Sequence, residues 1–161
     1  MSPRAAWRLE SLGFTQVFDY VAAKVDWLAG GLPLEGNLAD SPRAGDVTQT
    51  DVPTCRLTET IGDVRARVQA SDHNLCVVTN DEGIVLGRLG ARALRGDPQA
   101  LAEDVMESGP TTTRPGDPLD AIKERLQNRR VGGMLVTTPE GRLVGLLYRE
   151  DAEQRLGEAP G

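Results

Sequence analysis

The chain has 161 residues, 39% of them hydrophobic and 26% charged, with a net charge of −6 and a pI near 4.8. That length fits one compact domain with at most a small appendage, and the negative balance excludes nonspecific nucleic-acid binding, which needs a positive field to displace counterions. No stretch approaches the roughly 18 apolar residues of a membrane span, no charged-then-apolar leader opens the chain, and two cysteines, Cys55 and Cys76, make no disulfide scaffold; a cytoplasmic protein without membrane or nucleic-acid partners is expected.

Ser2 and Pro3 read as the N-cap and first position of a helix. It carries Ala6, Leu9 and Leu12 on one face and stops at Gly13. Residues 17–21 read as a strand and residues 22–29 as a second short helix, before Gly30-Gly31-Leu32-Pro33 breaks the chain. Residues 37–45 are small and polar and are expected to be a linker.

From Ala44 onward the chain repeats itself. Residues 44–95 align with residues 102–153 at a constant offset of 58 without a gap, giving thirteen identities over 52 positions, Thr54/Thr112, Arg56/Arg114 and Gly87/Gly145 among them. Many other positions exchange one aliphatic for another, as at Val64/Ile122 and Val77/Leu135. A period this long means one supersecondary unit used twice, its copies stacked to bury faces that neither covers alone. In each copy a short segment (46–47, 104–106) leads to an extended stretch (52–57, 110–115). Thr58 and Asp117 stand as helix N-caps for helices over about 60–70 and 118–129. Apolar strands follow at 75–79 and 134–137, then acidic-Gly hairpin turns at 80–83 and 139–141, then partner strands at 84–86 and 143–147. A closing helix starts near Ala91 and near Arg149, so the unit is β-α-β-β-α.

The segments "LCVVTNDEGIVLG" and "MLVTTPEGRLVGLLYREDA", occurring in fixed register after the same helix, resemble a tandem pair of cystathionine-β-synthase-type (CBS) domains, or Bateman module. The resemblance implies an α+β (α/β) fold of two β-α-β-β-α CBS repeats, over 46–96 and 102–157, packed as an intramolecular pair behind a short helix-strand-helix extension. It implies a regulatory module, not an enzyme, that forms a homodimer, requires no cofactor, and binds AMP, ATP or S-adenosylmethionine as a regulatory ligand between its halves. The family's ligand motif is Gly, two aliphatics, Thr or Ser, two variable residues, then Asp. In the second repeat it reads Gly145-Leu146-Leu147-Tyr148-Arg149-Glu150-Asp151, with Tyr148 replacing the Thr or Ser; in the first, Gly87 to Ala93, both polar positions are gone. By that resemblance a ligand centred on Asp151 would meet Thr54, His73, Asn74 and Leu75 from the first repeat, and Gly132, Gly133, Leu146 and Tyr148 from the second. Arg149 or Arg130 would supply counter-charge, and the helix after Tyr148 would turn its N-terminus toward a phosphate. Plain structural demands explain the same residues: an acid at 151 suits a helix first turn, and Gly145 suits a strand kink. A ligand-free scaffold with degenerate sites is the alternative.

Residues 1–36 are similar to the last third of a rhodanese domain, in the Ser before paired alanines, Gly13-Phe14, Trp27 and Gly31-Leu32-Pro33-Leu34-Glu35-Gly36. The sulfur-carrying Cys loop of that family would precede Met1, so sulfur transfer by this chain is not expected: either the start is trimmed or the segment is a remnant reused as packing. Trp7, Phe14, Phe18, Tyr20 and Trp27 give this segment most of the aromatic residues, and it is expected to dock on the repeats or on a second chain. The single histidine, His73, lacks partners at metal-ligand spacing, and Cys55 and Cys76 read as core thiols.

Overall fold

The computed structural model describes residues 11–16 and 41–157. The expected N-terminal helix up to residue 10, the strand over 17–21, the helix over 22–29, the Gly-Gly-Leu-Pro break and linker residues 37–40 lie outside the described residues, as do Trp7, Phe18, Tyr20 and Trp27. Gly13 takes φ +94°, the left-handed value that suits a helix stop, and Phe14 beside it is 59% exposed.

The two copies of the unit give two sheets flanked by helices, the α+β architecture expected. In the first, β1 (Thr54–Cys55) runs parallel to β2 (Cys76–Thr79), joined by helix α1 (Ile61–Gln69); β2 pairs antiparallel with β3 (Val85–Leu89), and α2 (Ala91–Leu94) follows. After α3 (Ala102–Val105) comes a short strand, β4 (Glu107–Ser108), which adds antiparallel to β3. In the second copy β5 (Thr112–Thr113), α4 (Leu119–Arg129), β6 (Gly133–Thr137), β7 (Leu143–Tyr148) and α5 (Arg149–Gly157) repeat the pattern. Both hairpins turn on a glycine with positive φ, +79° at Gly83 and +89° at Gly141, which a side chain would strain.

The helix caps differ from the sequence reading. Thr60, not Thr58, caps α1: its hydroxyl oxygen accepts from the Asp63 N–H at 3.3 Å. Asp117 does not cap α4, whose N-cap is Pro118. Its carboxylate instead closes the preceding turn, accepting from the Arg114 N–H at 2.9 Å and the Thr113 hydroxyl at 2.5 Å. Glu59 does the same work in the first copy, accepting from the Arg56 N–H at 2.7 Å.

The leading segment of each copy belongs structurally to the other. Ala44–Val47 forms a 3-10 turn, and the Ala44 N–H donates to the Asp117 carbonyl at 3.0 Å; 58 residues on, the Ala102 N–H donates to the Glu59 carbonyl at 2.9 Å. Gly45 and Pro115 bond across at 2.9 Å, as Glu103 and Leu57 do at 3.1 Å. Gln49 and Leu146 exchange both backbone bonds at 2.9 Å, the counterpart of the pairing between Glu107 and Arg88. Residues 42–45 are therefore not a free linker: Ala44 is fully buried in the second copy's core with Leu119, Ile122 and Leu147, while Ala102 is fully buried in the first copy's core with Ile61, Val64 and Leu89. The hairpin turns also bond across, Val85 N–H to the Gly141 carbonyl at 3.0 Å and Leu143 N–H to the Gly83 carbonyl at 2.9 Å. A third apolar cluster, built on Val52, Val77, Leu135 and Leu146, is shared between the two sheets.

The exchange explains Gly87 and Gly145. A Cβ on Gly145 would fall on the Gln49 carbonyl oxygen and lie 2.6 Å from Thr48 Cγ2; one on Gly87 would lie 2.6 Å from Met106 Sδ and 3.0 Å from the Glu107 carbonyl oxygen. Gly145 is thus required by the crossing backbone, whatever else the cleft holds. Gly145→Ala is expected to cost about 1–3 kcal/mol by overpacking, read as a lower urea midpoint. Gly90→Ala, with open space at its Cβ, is expected to stay within about 0.5 kcal/mol; equal midpoints for the two variants would show that the crossing segment is free to lift.

Candidate functional site

Between the two copies lies an open cleft of about 520 Å³. Asn74, Leu75, Arg88, Gly90 and Ala91 form one wall; Val131, Gly132, Gly133, Leu146, Tyr148 and Glu150 form the other. The elements place these residues together for one reason: β2 and β6 start, and β3 and β7 end, at the same edge of their sheets. Six of the expected site residues therefore share the cleft: Asn74, Leu75, Gly132, Gly133, Leu146 and Tyr148. Arg88, Gly90, Ala91, Val131 and Glu150 were missed. Four of them were legible in the repeat itself, since Arg88 is the counterpart of Leu146, Gly90 of Tyr148, Ala91 of Arg149 and Val131 of His73 at the offset of 58.

The two walls occupy equivalent places and differ in what fills them. Gly90 leaves its side open, and a Cβ there would meet nothing within 4 Å. Tyr148 fills the opposite side. Its hydroxyl is hydrogen-bonded to His73 Nδ1 at 2.8 Å, with the two rings nearly parallel at 11°. His73 Nε2 faces an Asp51 carboxylate oxygen at 3.4 Å. The tautomer with its proton on Nε2 satisfies both contacts, donating to Asp51 and accepting from Tyr148. His73 is not a cleft residue: its side chain is 2% exposed beneath Tyr148, whereas that of Asp51 is 82% exposed. Burial raises the Tyr148 phenol above the ordinary tyrosine range, with the Asp151 and Asp51 carboxylates adding to it.

Two expected site residues lie elsewhere. Asp151 is half-buried, accepts from Gln49 Nε2 at 2.8 Å, and lines a separate shallow hollow with Asp46, Val47, Gln49, Gln154 and Arg155. The exchanged segment is the cause, because it brings Gln49 over the start of α5. Thr54 is exposed on β1, and its carbonyl accepts from the Arg67 guanidinium, a contact repeated by Arg125 and Thr112. The expected helix end offers less to a phosphate than the sequence suggests, since the Arg149 N–H already donates to the Gly132 carbonyl at 2.9 Å. Arg149 pairs with Glu153 at 3.7 Å; neither it nor Arg130 lines the cleft.

Cys55 and Cys76 are buried free thiols in the first copy's core. The hydrogen bond to Cys55, and then burial, push the Cys76 thiol well above the ordinary range. Among the described residues, no group of three or more His, Cys, Asp and Glu side chains is placed to hold a metal ion, and no helix is long and apolar enough to cross a membrane.

The CBS domain family matches the chain twice, over residues 44–96 and 102–157. The chain belongs to the CBS domain family, as a tandem pair. Its fold is similar to that of the cytosolic domain of the Mg2+ channel MgtE in complex with ATP (TM-score 0.66, 20% identity, covering 73% of this chain and 51% of that one). It is also similar to the CBS domain pair of protein MJ0100 in complex with 5′-methylthioadenosine and S-adenosyl-L-methionine (0.63, 18%, 73% and 97%). A third likeness is to CBSX2 in complex with AMP (0.64, 14%, 72% and 96%). At these identities the likeness is one of fold, and the chain spans about half the length of the MgtE domain. No curated protein is detectably similar in sequence. The family matches begin at residue 44, and the expected rhodanese resemblance of residues 1–36 finds no support in them.

Tyr148→Phe leaves His73 Nδ1 without its partner in the interior and is expected to destabilise by about 1–3 kcal/mol. The Tyr148 phenol is raised, so its contribution is intact below the unfolded tyrosine value of about 10 and is lost as pH climbs above it, where the unfolded phenol ionises first. Chemical denaturation between neutral and strongly alkaline pH should show a steeper loss for the parent than for Tyr148→Phe; equal slopes would remove this role for Tyr148.

Proposed function

We propose that this chain is a non-catalytic regulatory module that binds an adenosyl ligand in the cleft between its CBS repeats and passes the bound state to a partner protein. The observation that carries the reading is the cleft itself: both repeats build it, its walls combine aliphatic faces at Leu75, Val131 and Leu146 with the Asn74 amide, and two glycines allow close approach. The relatives solved with ATP, AMP, 5′-methylthioadenosine and S-adenosylmethionine support the ligand class. Six of the expected ligand residues, Asn74, Leu75, Gly132, Gly133, Leu146 and Tyr148, would contact the ligand directly. Asp151 and His73 would act from behind Tyr148, and Thr54 would hold the end of helix α1. The module is expected to pair with a second copy of itself, as CBS pairs do, which light scattering of the full chain would read.

A ligand-free scaffold is the second reading, and Tyr148 favours it. The ring already fills one side of the cleft and is held by a buried histidine, so a bound ligand must fit beside it or displace it.

Gly132 separates the two. A Cβ there meets nothing within 4 Å, so Gly132→Leu is expected to fill the cleft while leaving the melting temperature of the free protein almost unchanged. In the parent, an adenosyl ligand held at 100 times its dissociation constant should add about 2.7 kcal/mol of stability; Gly132→Leu should abolish that gain. A parent that shows no shift with AMP, ATP, 5′-methylthioadenosine or S-adenosylmethionine would leave the scaffold.

A further inference from the structure

We infer that two copies of this chain pair head to tail, the α1–α2 face of the first repeat in one chain packing on the α4–α5 face of the second repeat in the other. This rests on the self-pairing proposed above and fixes its direction.

The two faces are built from equivalent elements and carry opposite charge. At the offset of 58, Arg92 corresponds to Glu150 and Arg95 to Glu153. Ala66, exposed on α1, corresponds to Glu124, exposed on α4, while Lys123 keeps the sign of Arg65. The first repeat's closing helix therefore presents arginines where the second repeat's presents glutamates. Among the described residues, no carboxylate stands within ion-pair distance of Arg65, Arg92 or Arg95. The Arg65 guanidinium donates to the Leu94 and Gly96 carbonyls at 2.6 and 2.9 Å, and that of Arg95 to the Ala91 carbonyl at 3.1 Å. These bonds orient the two charges without neutralising them. On the other face Glu150 is exposed, and Glu153 makes long contacts to Arg149 at 3.7 Å and to the Gln127 amide at 3.4 Å.

Shape points the same way. On the first repeat a groove of about 340 Å³ runs between α1 and α2, lined by Val68, Ala91 and Leu94 with Arg65 and Arg95 beside them. On the second repeat Arg149 stands in the place of Ala91, and it and Gln127 both reach Glu153, bridging α4 and α5. An apolar groove edged by arginines meets a filled face that carries glutamates. Pairing like repeats would set arginine on arginine at one contact and glutamate on glutamate at the other. Pairing unlike repeats makes the same favourable contact twice about a two-fold axis, and the assembly closes at two chains.

Sedimentation velocity of the full chain over a range of concentrations and salt tests this. The parent is expected to be a dimer of the 17.3 kDa chain, weakening as salt is added. Arg95→Glu and Glu153→Arg should each raise the dimer dissociation constant about tenfold, because each sets like charges together in both contacts. The double variant Arg95→Glu/Glu153→Arg should restore the parent value. Arg92→Glu, Glu150→Arg and their double repeat the series at a second pair of exposed positions, and thermal unfolding checks that every variant is folded. Native mass spectrometry of an equimolar mixture of the parent and an isotope-labelled double variant should show each chain pairing with its own kind, since a mixed dimer would place arginine on arginine and glutamate on glutamate. Single variants that dimerise as the parent does, or a mixture that prefers the mixed dimer, would overturn the head-to-tail direction and leave self-pairing standing. A monomeric parent would overturn both, while the adenosyl reading is decided separately by Gly132→Leu.

Discussion

The structure depends on one constraint: each copy of the repeated unit is finished by the other's leading segment. Ala44 completes the core beneath α4, and Ala102 completes the core beneath α1. The bonds that hold these segments recur in pairs at the repeat offset, so the two copies are related as partners and not as beads on a string. The cleft follows from that arrangement. It opens where the same edges of the two sheets meet, and its walls are made of positions that correspond across the repeat. Two halves packed by loose surface contact would leave the walls free to shift; halves locked by exchanged backbone hold Asn74, Gly132 and Tyr148 in a fixed relation.

Much of the fold was legible because the chain states it twice. A hydrophobic pattern seen once is ambiguous, but Val64/Ile122 and Val77/Leu135 report the same burial at the same place in two independent stretches. The two long helices and the hairpins follow closely from the periodicity and from Gly83 and Gly141. The caps were less legible. Thr58, Thr60, Glu59, Asp117 and Pro118 crowd one short stretch of the unit, and which oxygen turns to the helix depends on the turn before it. The exchange was not legible at all, because a run such as Pro42-Arg43-Ala44-Gly45 looks the same in a linker and in a segment threaded through a neighbour's core. Fully buried Ala44 carries no hydrophobic signal large enough to give it away.

The site was half legible for a related reason. The family motif draws attention to Gly145 and Asp151, and in this chain both serve the exchange: the glycine makes room for the Gln49 backbone, and the carboxylate holds the Gln49 side chain. Residues that line the cleft without belonging to the motif, such as Arg88 and Glu150, were found by geometry. His73 is instructive in the same way. As a lone histidine it suggested a lining residue, yet it lies beneath the surface as the support on which Tyr148 rests. What decides the character of this cleft is the asymmetry between two related walls, one with a glycine at position 90 and one with a tyrosine at position 148.

The threading also sets the order in which the chain becomes a protein. The first copy's core waits for Ala102 and the second copy's core draws on Ala44 together with Ala152, near the far end of the described chain. During synthesis, then, the earlier half closes only once the leading segment of the later half, as far as Met106, has been made. The second interior closes last: it holds Ala44, made at the start, open to solvent and to chaperones until Leu147 and Ala152 have left the ribosome.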